Sequence, residues 1–196
     1  MAEPTVGTPV VGDDGTARCP WGDAPPDLRR YHDTEWASPV RTDRGVFERL
    51  TLEAFQSGLS WLVVLRKRER LREVFADFDA RVVADYDDAD VARLLADPGI
   101  VRNRAKIEAT VTNARAVLAL AEPVADLVWR FAPDPRPPRP ATTADVPSIT
   151  PESVSLSGEL RRHGFRFVGP TTAYALMQAT GMVDDHLVGC ESGGRG

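Results

Sequence analysis

The spacing of hydrophobic residues predicts a chain made of helices. From residue 44 onward, apolar side chains recur every three or four positions, the period at which one face of an α-helix repeats. The first predicted helix begins at the capping residue Asp43, ends before Gly58 and has its apolar face at Phe47, Leu50 and Ala54. Further helices are predicted at about 61–75, with Ser60 as the cap, and at about 80–85, 88–96, 102–121, 124–131, 151–163 and 170–180. No strand pattern of convincing length appears, so we expect an all-α protein.

The segments without periodicity predict the domain organisation. Residues 1–17 are rich in Gly, Pro, Thr and Asp, which favours a mobile N-terminal tail. Residues 133–150 are dense in proline and threonine and are predicted to form an irregular connection. We therefore expect a single domain over 18–192, followed by a flexible C-terminus over 193–196.

Composition and charge are those of an ordinary globular protein. Hydrophobic residues make up 42% of the 196 residues, charged residues make up 27%, and the formal net charge is −5. This charge does not suggest a nucleic-acid binder, so any DNA contact would need a local basic face and backbone amides. No apolar run approaches the ~20 residues that cross a bilayer, and the N-terminus lacks a signal-peptide pattern. We expect a cytoplasmic monomer without a membrane partner.

Both cysteines and two of the three histidines form two pairs at opposite ends of the chain. Cys19 and His32 are separated by twelve residues, and His186 and Cys190 are separated by three. Two thiolates and two imidazoles suit tetrahedral Zn²⁺, and four protein ligands leave no open position, so such a site would be structural. Alternatively, the four residues are unrelated, or the cysteines form a disulfide, which a cytoplasmic setting disfavours.

The connection between the last two predicted helices is a candidate phosphate site. Gly169 permits a sharp bend, and Pro170 suits the first position of a helix. The free N–H groups at the start of the second helix could bind a DNA phosphate, with positive charge supplied by Arg161, Arg162 and Arg166. The alternative is an ordinary corner between two helices.

A polar and aromatic cluster is a candidate for binding a nucleobase. Glu53 lies in a largely apolar stretch, and carboxylates are rarely buried unless something binds them. Trp61 could stack on a base turned out of the duplex, while Gly58 and Leu59 could enter the base stack. A carboxylate would favour a ring with N–H donors and positive charge. The alternative is a core tryptophan beside a half-exposed surface acid.

Several short motifs occur in order along residues 18–190. They are RCPW at 18–21, YHDTEW at 31–36, LE at 52–53, QSGLSW at 56–61, GIVRNRAKI at 99–107, GFRFVG at 164–169 and DHLVGC at 185–190. Together these motifs resemble the DNA-3-methyladenine glycosylase I family, and the resemblance covers nearly the whole chain.

The resemblance implies an all-α fold of the helix-hairpin-helix DNA glycosylase superfamily, with the hairpin at about 151–180. It implies excision of 3-methyladenine from alkylated double-stranded DNA. In the implied base pocket Glu53 and Tyr31 hydrogen-bond the methylated base, Trp61 stacks on it, Trp21 lines the pocket, and Gly58 and Leu59 fill the gap in the duplex. The implied DNA contacts of the hairpin are Gly169, Thr171, Thr172 and Arg166, and the implied ligands of a structural Zn²⁺ are Cys19, His32, His186 and Cys190.

A few positions depart from the family pattern. Pro20 and Ala37 stand where glycine is usual, Ser57 replaces the usual alanine, and no cysteine-rich tail follows Cys190. None of these changes removes an implied ligand or pocket residue.

The resemblance also implies the type of reaction. Bifunctional glycosylases carry a lysine amine after the hairpin glycine, where this chain has Thr171. We therefore expect hydrolysis that leaves an abasic site, with no lyase activity. No general base can be assigned within 184–190, because the last positions of this segment belong to the implied metal site. The alternatives are a helix-hairpin-helix glycosylase for another damaged base, a zinc-stabilised DNA-binding module without chemistry, and an interaction protein without nucleic acid.

Overall fold

The protein is mostly helical. The structure, a computed structural model, describes residues 7–192, which form nine α-helices and one two-stranded antiparallel sheet. The strands are β1 Val10–Val11 and β2 Ala17–Arg18, and the helices are α1 Pro26–Thr34, α2 Asp43–Gln56, α3 Trp61–Val74, α4 Ala80–Ala84, α5 Asp88–Ala96, α6 Arg104–Ala119, α7 Val124–Trp129, α8 Pro151–Arg162 and α9 Pro170–Ala179. The prediction of an all-α protein is confirmed.

Every helix predicted from the hydrophobic pattern is present. The capping hydrogen bonds of the first two predicted helices, α2 and α3, differ from the prediction. The side chain of Thr42, not that of Asp43, accepts a hydrogen bond from the Gly45 N–H at 3.2 Å and so caps α2. Asp43 instead accepts a hydrogen bond from the Ala125 N–H in the first turn of α7, at 2.9 Å. Ser60 is the N-cap residue of α3, but its side chain makes no capping hydrogen bond.

Helix α1 is an element that the hydrophobic pattern does not predict. Only Tyr31 and His32 are buried among its residues, so it lacks a continuous apolar face. It begins at Pro26, and proline is tolerated in the first turn because the N–H it removes has no partner there. The buried pair packs this helix against the rest of the molecule, and ion pairs such as Arg66–Asp27 at 2.8 Å support it from the surface.

The described part of the segment predicted to be a mobile tail, residues 7–17, contributes to a small β-sheet and contacts the C-terminal segment. β1 pairs with β2, and the Glu191 N–H donates a hydrogen bond to the Ala17 carbonyl at 2.9 Å. Arg18, which is buried, forms an ion pair with Asp33 at 2.9 Å. Because these partners are distant in sequence, local composition does not reveal them.

The other segments without periodicity behave as follows. The connection over 133–150 is irregular as predicted, apart from a single 3-10 turn at Thr143–Asp145. Residues 1–6 and 193–196, predicted to be flexible, lie outside the described residues. Within the described part of the chain, the helices are too short or too polar to span a membrane.

Helix α2 is the central helix, and its burial carries Glu53 into the interior. Nine of its 14 residues are buried, on all sides, as expected for a helix inside the core. Val46 and Leu50 belong to a hydrophobic core shared with α7, α8 and α9. Phe47 and Phe55 belong to a second core shared with α3, α4, α5 and α6. Glu53 therefore lies on the helix that joins the two cores.

Candidate functional site

A cavity of about 320 Å³ lies beside α2. Its walls come from α1 and the segments on either side of it, α2, the start of α3, the irregular connection over 133–150, α9 and the segment that follows α9. Apolar and aromatic side chains with a few polar groups form the lining, which is typical of a small-molecule site. The lining residues are Cys19, Trp21, Tyr31, Trp36, Glu53, Gln56, Trp61, Thr143, Val146, Ala175, Gln178, Asp185 and Leu187.

Glu53 is a buried acid without a hydrogen-bond partner among residues 7–192. The residue is only 6% exposed, so it is not the half-exposed surface acid of the alternative. Burial raises the pKa of Glu53 to about 8, the charge of Arg49 opposes this rise, and no described residue donates a hydrogen bond to the carboxylate. Burying an acid without a partner costs free energy. The carboxylate is therefore suited to a ligand that donates hydrogen bonds or carries positive charge.

The predicted aromatic residues surround the same cavity. The ring centroid of Tyr31 lies 5.0 Å from that of Trp61, and Trp21 packs edge-on against Trp36 at 4.8 Å. Burial, and then the nearby charge of Glu53, raise the pKa of Tyr31, so its hydroxyl keeps its proton and can donate. The Nε1 of Trp61 is buried and has no partner in the part of the chain that the structure describes. The aromatic rings and the Tyr31 hydroxyl thus line a cavity suited to a flat heterocycle.

Asp185 is a second cavity acid, and the sequence analysis did not assign it a role. The Tyr174 hydroxyl and the Gln178 side-chain amide both donate to its Oδ2, at 2.6 and 2.7 Å. These two donors, both from α9, hold the carboxylate in the cavity wall. An aspartate directly before a candidate ligand histidine was the available signal, but its two partners could not be known from the sequence.

The turn between α2 and α3, residues 57–60, is called the wedge turn below. It carries Gly58 and Leu59, the two residues predicted to enter the base stack. Gly58 adopts a φ of +78°, which glycine accepts without strain, and Leu59 is 40% exposed at the tip. Gln56 and Trp61, on either side of this tip, both line the cavity. The structure therefore places Gly58 and Leu59 beside the cavity, facing solvent.

The connection between α8 and α9 is tight and is anchored from α6. Gly164 turns the chain with a φ of +87°, and Gly169 is the N-cap residue of α9. The side chain of Asn113 donates to the Arg166 carbonyl at 3.1 Å and accepts from the Arg166 N–H at 2.7 Å. Asn113 was not predicted to have a role, because its partner lies 53 residues away.

The residues predicted to contact DNA here are accessible at the start of α9. Thr171 and Arg166 are exposed and Thr172 is half-buried. Arg162 is engaged in an ion pair with Glu159, whereas the guanidinium of Arg166 has no ion pair within residues 7–192. Arg166 is therefore the freer of these two positive charges.

Three of the four predicted metal ligands converge. The ligand atoms of Cys19, His32 and Cys190 lie within 4.8 Å of one another, and all three residues are buried. The fourth, His186, is also buried, and its ring centroid lies 4.8 Å from that of His32. Its Nε2, however, faces the His32 carbonyl at 3.3 Å and does not join the other three ligand atoms. Both cysteines are free thiols, which excludes the disulfide alternative in this structure.

The surroundings of this cluster fit a metal ion. Asp33 holds the Nδ1 of His32 at 2.8 Å, and Asp184 holds the Nδ1 of His186 at 2.6 Å. Metal-binding histidines commonly have such a carboxylate at one ring nitrogen. The other nitrogen of His32, Nε2, lies 3.6 Å from the Cys190 sulfur and faces the cluster, whereas that of His186 faces the His32 carbonyl. A hydrogen bond from the neighbouring thiol is the main cause that lowers the pKa of Cys190, and a thiolate is the form that binds a metal.

Comparison with known proteins assigns the chain to a family. A family model for methyladenine glycosylase matches residues 21–193. DNA-3-methyladenine glycosylase 1 of Escherichia coli K12 is 44% identical over 177 residues, which cover 88% of this chain and 95% of that protein. The DNA-3-methyladenine glycosylase of Haemophilus influenzae is 41% identical over 187 residues, which cover 89% of this chain and 97% of that protein.

A solved structure agrees with this assignment. A structure of 3-methyladenine DNA glycosylase I from Staphylococcus aureus, which concerns recognition of 3-methyladenine, superimposes with a TM-score of 0.87 at 32% identity. The match covers 91% of this chain and 97% of the other. Family model, relatives and fold agree over almost the full length, and the chain therefore belongs to the methyladenine glycosylase family.

Proposed function

We propose that this protein is a monofunctional DNA-3-methyladenine glycosylase. It hydrolyses the N-glycosidic bond of 3-methyladenine in alkylated double-stranded DNA and leaves an abasic site for base-excision repair. The observation that carries the proposal is the buried carboxylate of Glu53, to which no residue in the described part of the chain donates a hydrogen bond, inside an aromatic cavity. Family membership and the names of the relatives support the same substrate.

Selection of the base follows from charge. Methylation at N3 gives adenine a positive charge, which ordinary adenine lacks. Because Glu53 is buried, its ionised carboxylate attracts that cation more strongly than it would in solvent. The rings of Trp61 and Tyr31 provide faces for stacking, which also favour a cationic ring. Glu53 is therefore assigned to recognition of the base.

The chemical step needs little help from an acid. The bond between C1′ of the sugar and N9 of the base breaks, and its electron pair leaves with the base and neutralises the positive charge. Water adds to C1′ and releases a proton. Asp185, the other acid among the described lining residues, is assigned to stabilising the cationic sugar, because Tyr174 and Gln178 fix its carboxylate.

The absence of lyase activity is supported by the positions of both lysines. Strand cleavage by a Schiff base needs an amine at the sugar. Lys67 donates to the Pro98 carbonyl, and Lys106 donates to two backbone carbonyls near the end of α2. Neither lysine lines the cavity.

Contact with the duplex is assigned to two surfaces beside the cavity. The first is the start of α9, where helix N–H groups, Thr171 and Arg166 would bind phosphate without reading sequence. This surface and the connection before it would act as the helix-hairpin-helix. The second is the turn with Gly58 and Leu59, which would fill the space of the extruded nucleotide.

The metal proposed for the cluster is a structural Zn²⁺ held by Cys19, His32, His186 and Cys190. The convergence of three ligand atoms and the two aspartates behind the imidazoles support this assignment. A bound Zn²⁺ would supply a link between the two ends of the domain and no chemistry at the sugar.

The test is to incubate the protein with duplex DNA treated with a methylating agent and to identify the released bases by mass spectrometry. We expect release of 3-methyladenine in preference to 7-methylguanine, no release of hypoxanthine from inosine-containing DNA, and strands that break only after heat or alkali. Preferential release of another base, or breaks made by the protein alone, would contradict the proposal.

A further inference from the structure

The geometry points to Lys106 as a positioning residue that holds the wedge turn for insertion into duplex DNA. This inference rests on the proposed function. Lys106 lies in the first turn of α6 and is 6% exposed. Its ammonium donates to the Phe55 carbonyl at 2.7 Å and to the Ser57 carbonyl at 2.6 Å. No carboxylate in the described part of the chain pairs with it, so these carbonyls are its main stabilising partners.

The two carbonyls belong to the end of α2 and to the wedge turn itself. The last carbonyls of a helix have no partner within the helix, and they form the negative end of its dipole, where a cation is favourable. The Gln56 carbonyl accepts the Leu59 N–H at 2.6 Å. All three carbonyls before the tip are thus hydrogen-bonded, two of them to one charged group, and the path of the turn is fixed.

The segment around Lys106 holds the ammonium group in position. The side chain of Asn103 caps α6 by accepting the Lys106 N–H at 3.1 Å. Ile100 and Ile107 anchor the segment in the core on either side. The motif over 99–107, whose role the sequence analysis left open, is therefore explained as an anchored support for Lys106.

A rigid turn matters only where Leu59 must displace a stacked base. Leu59 is the exposed apolar side chain at the tip, and inserting it costs unstacking energy. If the wedge turn moved during insertion, Leu59 would not keep the nucleotide extruded from the duplex. The cavity would still bind the free base. Lys106 touches neither the cavity nor the exposed tip, so it acts through the backbone before Leu59.

The test is a double-mutant cycle between Lys106→Met and Leu59→Ala, measured as kcat/KM for 3-methyladenine release from methylated duplex. Methionine keeps the length and apolar stem but removes the charge and the donors. We expect Lys106→Met to lower kcat/KM about tenfold in the wild-type background and less than about twofold in the Leu59→Ala background. Binding of free 3-methyladenine, followed by tryptophan fluorescence, should be unchanged by Lys106→Met.

The control is Lys67→Met, which removes the same charge from the chain's other lysine and should change kcat/KM by less than about twofold. If Lys106→Met does not fold, as judged by circular dichroism, Lys106→Gln replaces it in the same cycle. Additive losses in the cycle, or weaker binding of the free base, would overturn the role of Lys106. Failure of the wild-type protein to release 3-methyladenine would instead overturn the proposed function.

Discussion

Glu53 should control the pH dependence of activity. Burial raises its pKa to about 8, so in the empty cavity the acid is mostly protonated at pH 7 and ionises as the pH rises. Only the ionised form attracts a cationic base. We therefore expect kcat/KM, which reports the free enzyme, to increase from pH 6, to reach half of its maximum near pH 8 and to level off above about pH 9. Glu53→Gln should give a lower and flat profile, with duplex binding retained.

The measurement is the initial rate of 3-methyladenine release across this range at constant ionic strength. A wild-type rate that falls as the pH rises towards about 8, with no fall in Glu53→Gln, would show that the protonated acid is the active form.

Ala37 illustrates how a departure from the family pattern is accommodated. It adopts a φ of +60°, in the left-handed region that favours glycine, and it follows Trp36 in the cavity wall. The Ala37 N–H donates to the Gln178 carbonyl at 3.2 Å, and the Val40 N–H donates to the Thr180 carbonyl at 3.1 Å. These contacts with the end of α9 hold the segment in place in spite of the unfavourable backbone angle.

At the scale of single helices, the N-cap residues of α2 and α3 can be compared, because only the first makes a capping hydrogen bond with its side chain. Thr42→Ala removes a capping hydrogen bond and should lower the free energy of unfolding by about 1 kcal/mol. For a chain of this size that corresponds to a Tm about 2–4 °C lower. Ser60→Ala removes a hydroxyl that makes no capping hydrogen bond and should leave the Tm nearly unchanged. Equal losses in calorimetry would show that the assigned caps are wrong.

The start of α9 makes a second prediction at this scale. Arg166→Ala should weaken binding to duplex DNA and reduce the slope of log affinity against log salt by about one. Arg162→Ala, the control, removes an arginine that is already paired with Glu159 and should change the slope less. Titrations at several salt concentrations measure both slopes, and identical slopes for the two variants would remove Arg166 from the DNA contact.

The sequence predicts a helix from the period of its apolar residues, and it reveals an acid that interrupts such a period. It does not predict the role of a residue whose partners are distant in the sequence. The pattern predicts α2 and α6, and it singles out Glu53 because an acid stands in an apolar stretch. Asn113 and Lys106 are different, since their acceptors lie 53 and about 50 residues away. Asp185 likewise becomes a site residue only once α9 brings its two donors to it.

Over the whole molecule, the proposed metal joins residues from both ends of the domain, so its removal should affect global stability. If free Zn²⁺ is about 100-fold above its Kd, linkage stabilises the fold by about 3 kcal/mol, which corresponds to about 6–12 °C in Tm. We expect one zinc per chain by elemental analysis and a matching loss of Tm after chelation. Cys190→Ser should bind less zinc and should respond little to the chelator. A metal-free protein whose Tm a chelator does not change would contradict the assignment.

The metal cluster and the base cavity share a wall. The burial of this wall affects how the enzyme withstands alkylating reagents. Cys19 belongs to the cluster and also lines the cavity, while Trp36 lies between Trp21 of the cavity and His186 at 4.8 and 4.6 Å. Electrophiles that methylate ring nitrogens in DNA also react with thiolates, which are strong nucleophiles. With Cys19 only 1% and Cys190 only 6% exposed, burial shields both sulfurs from the reagents whose damage the enzyme removes.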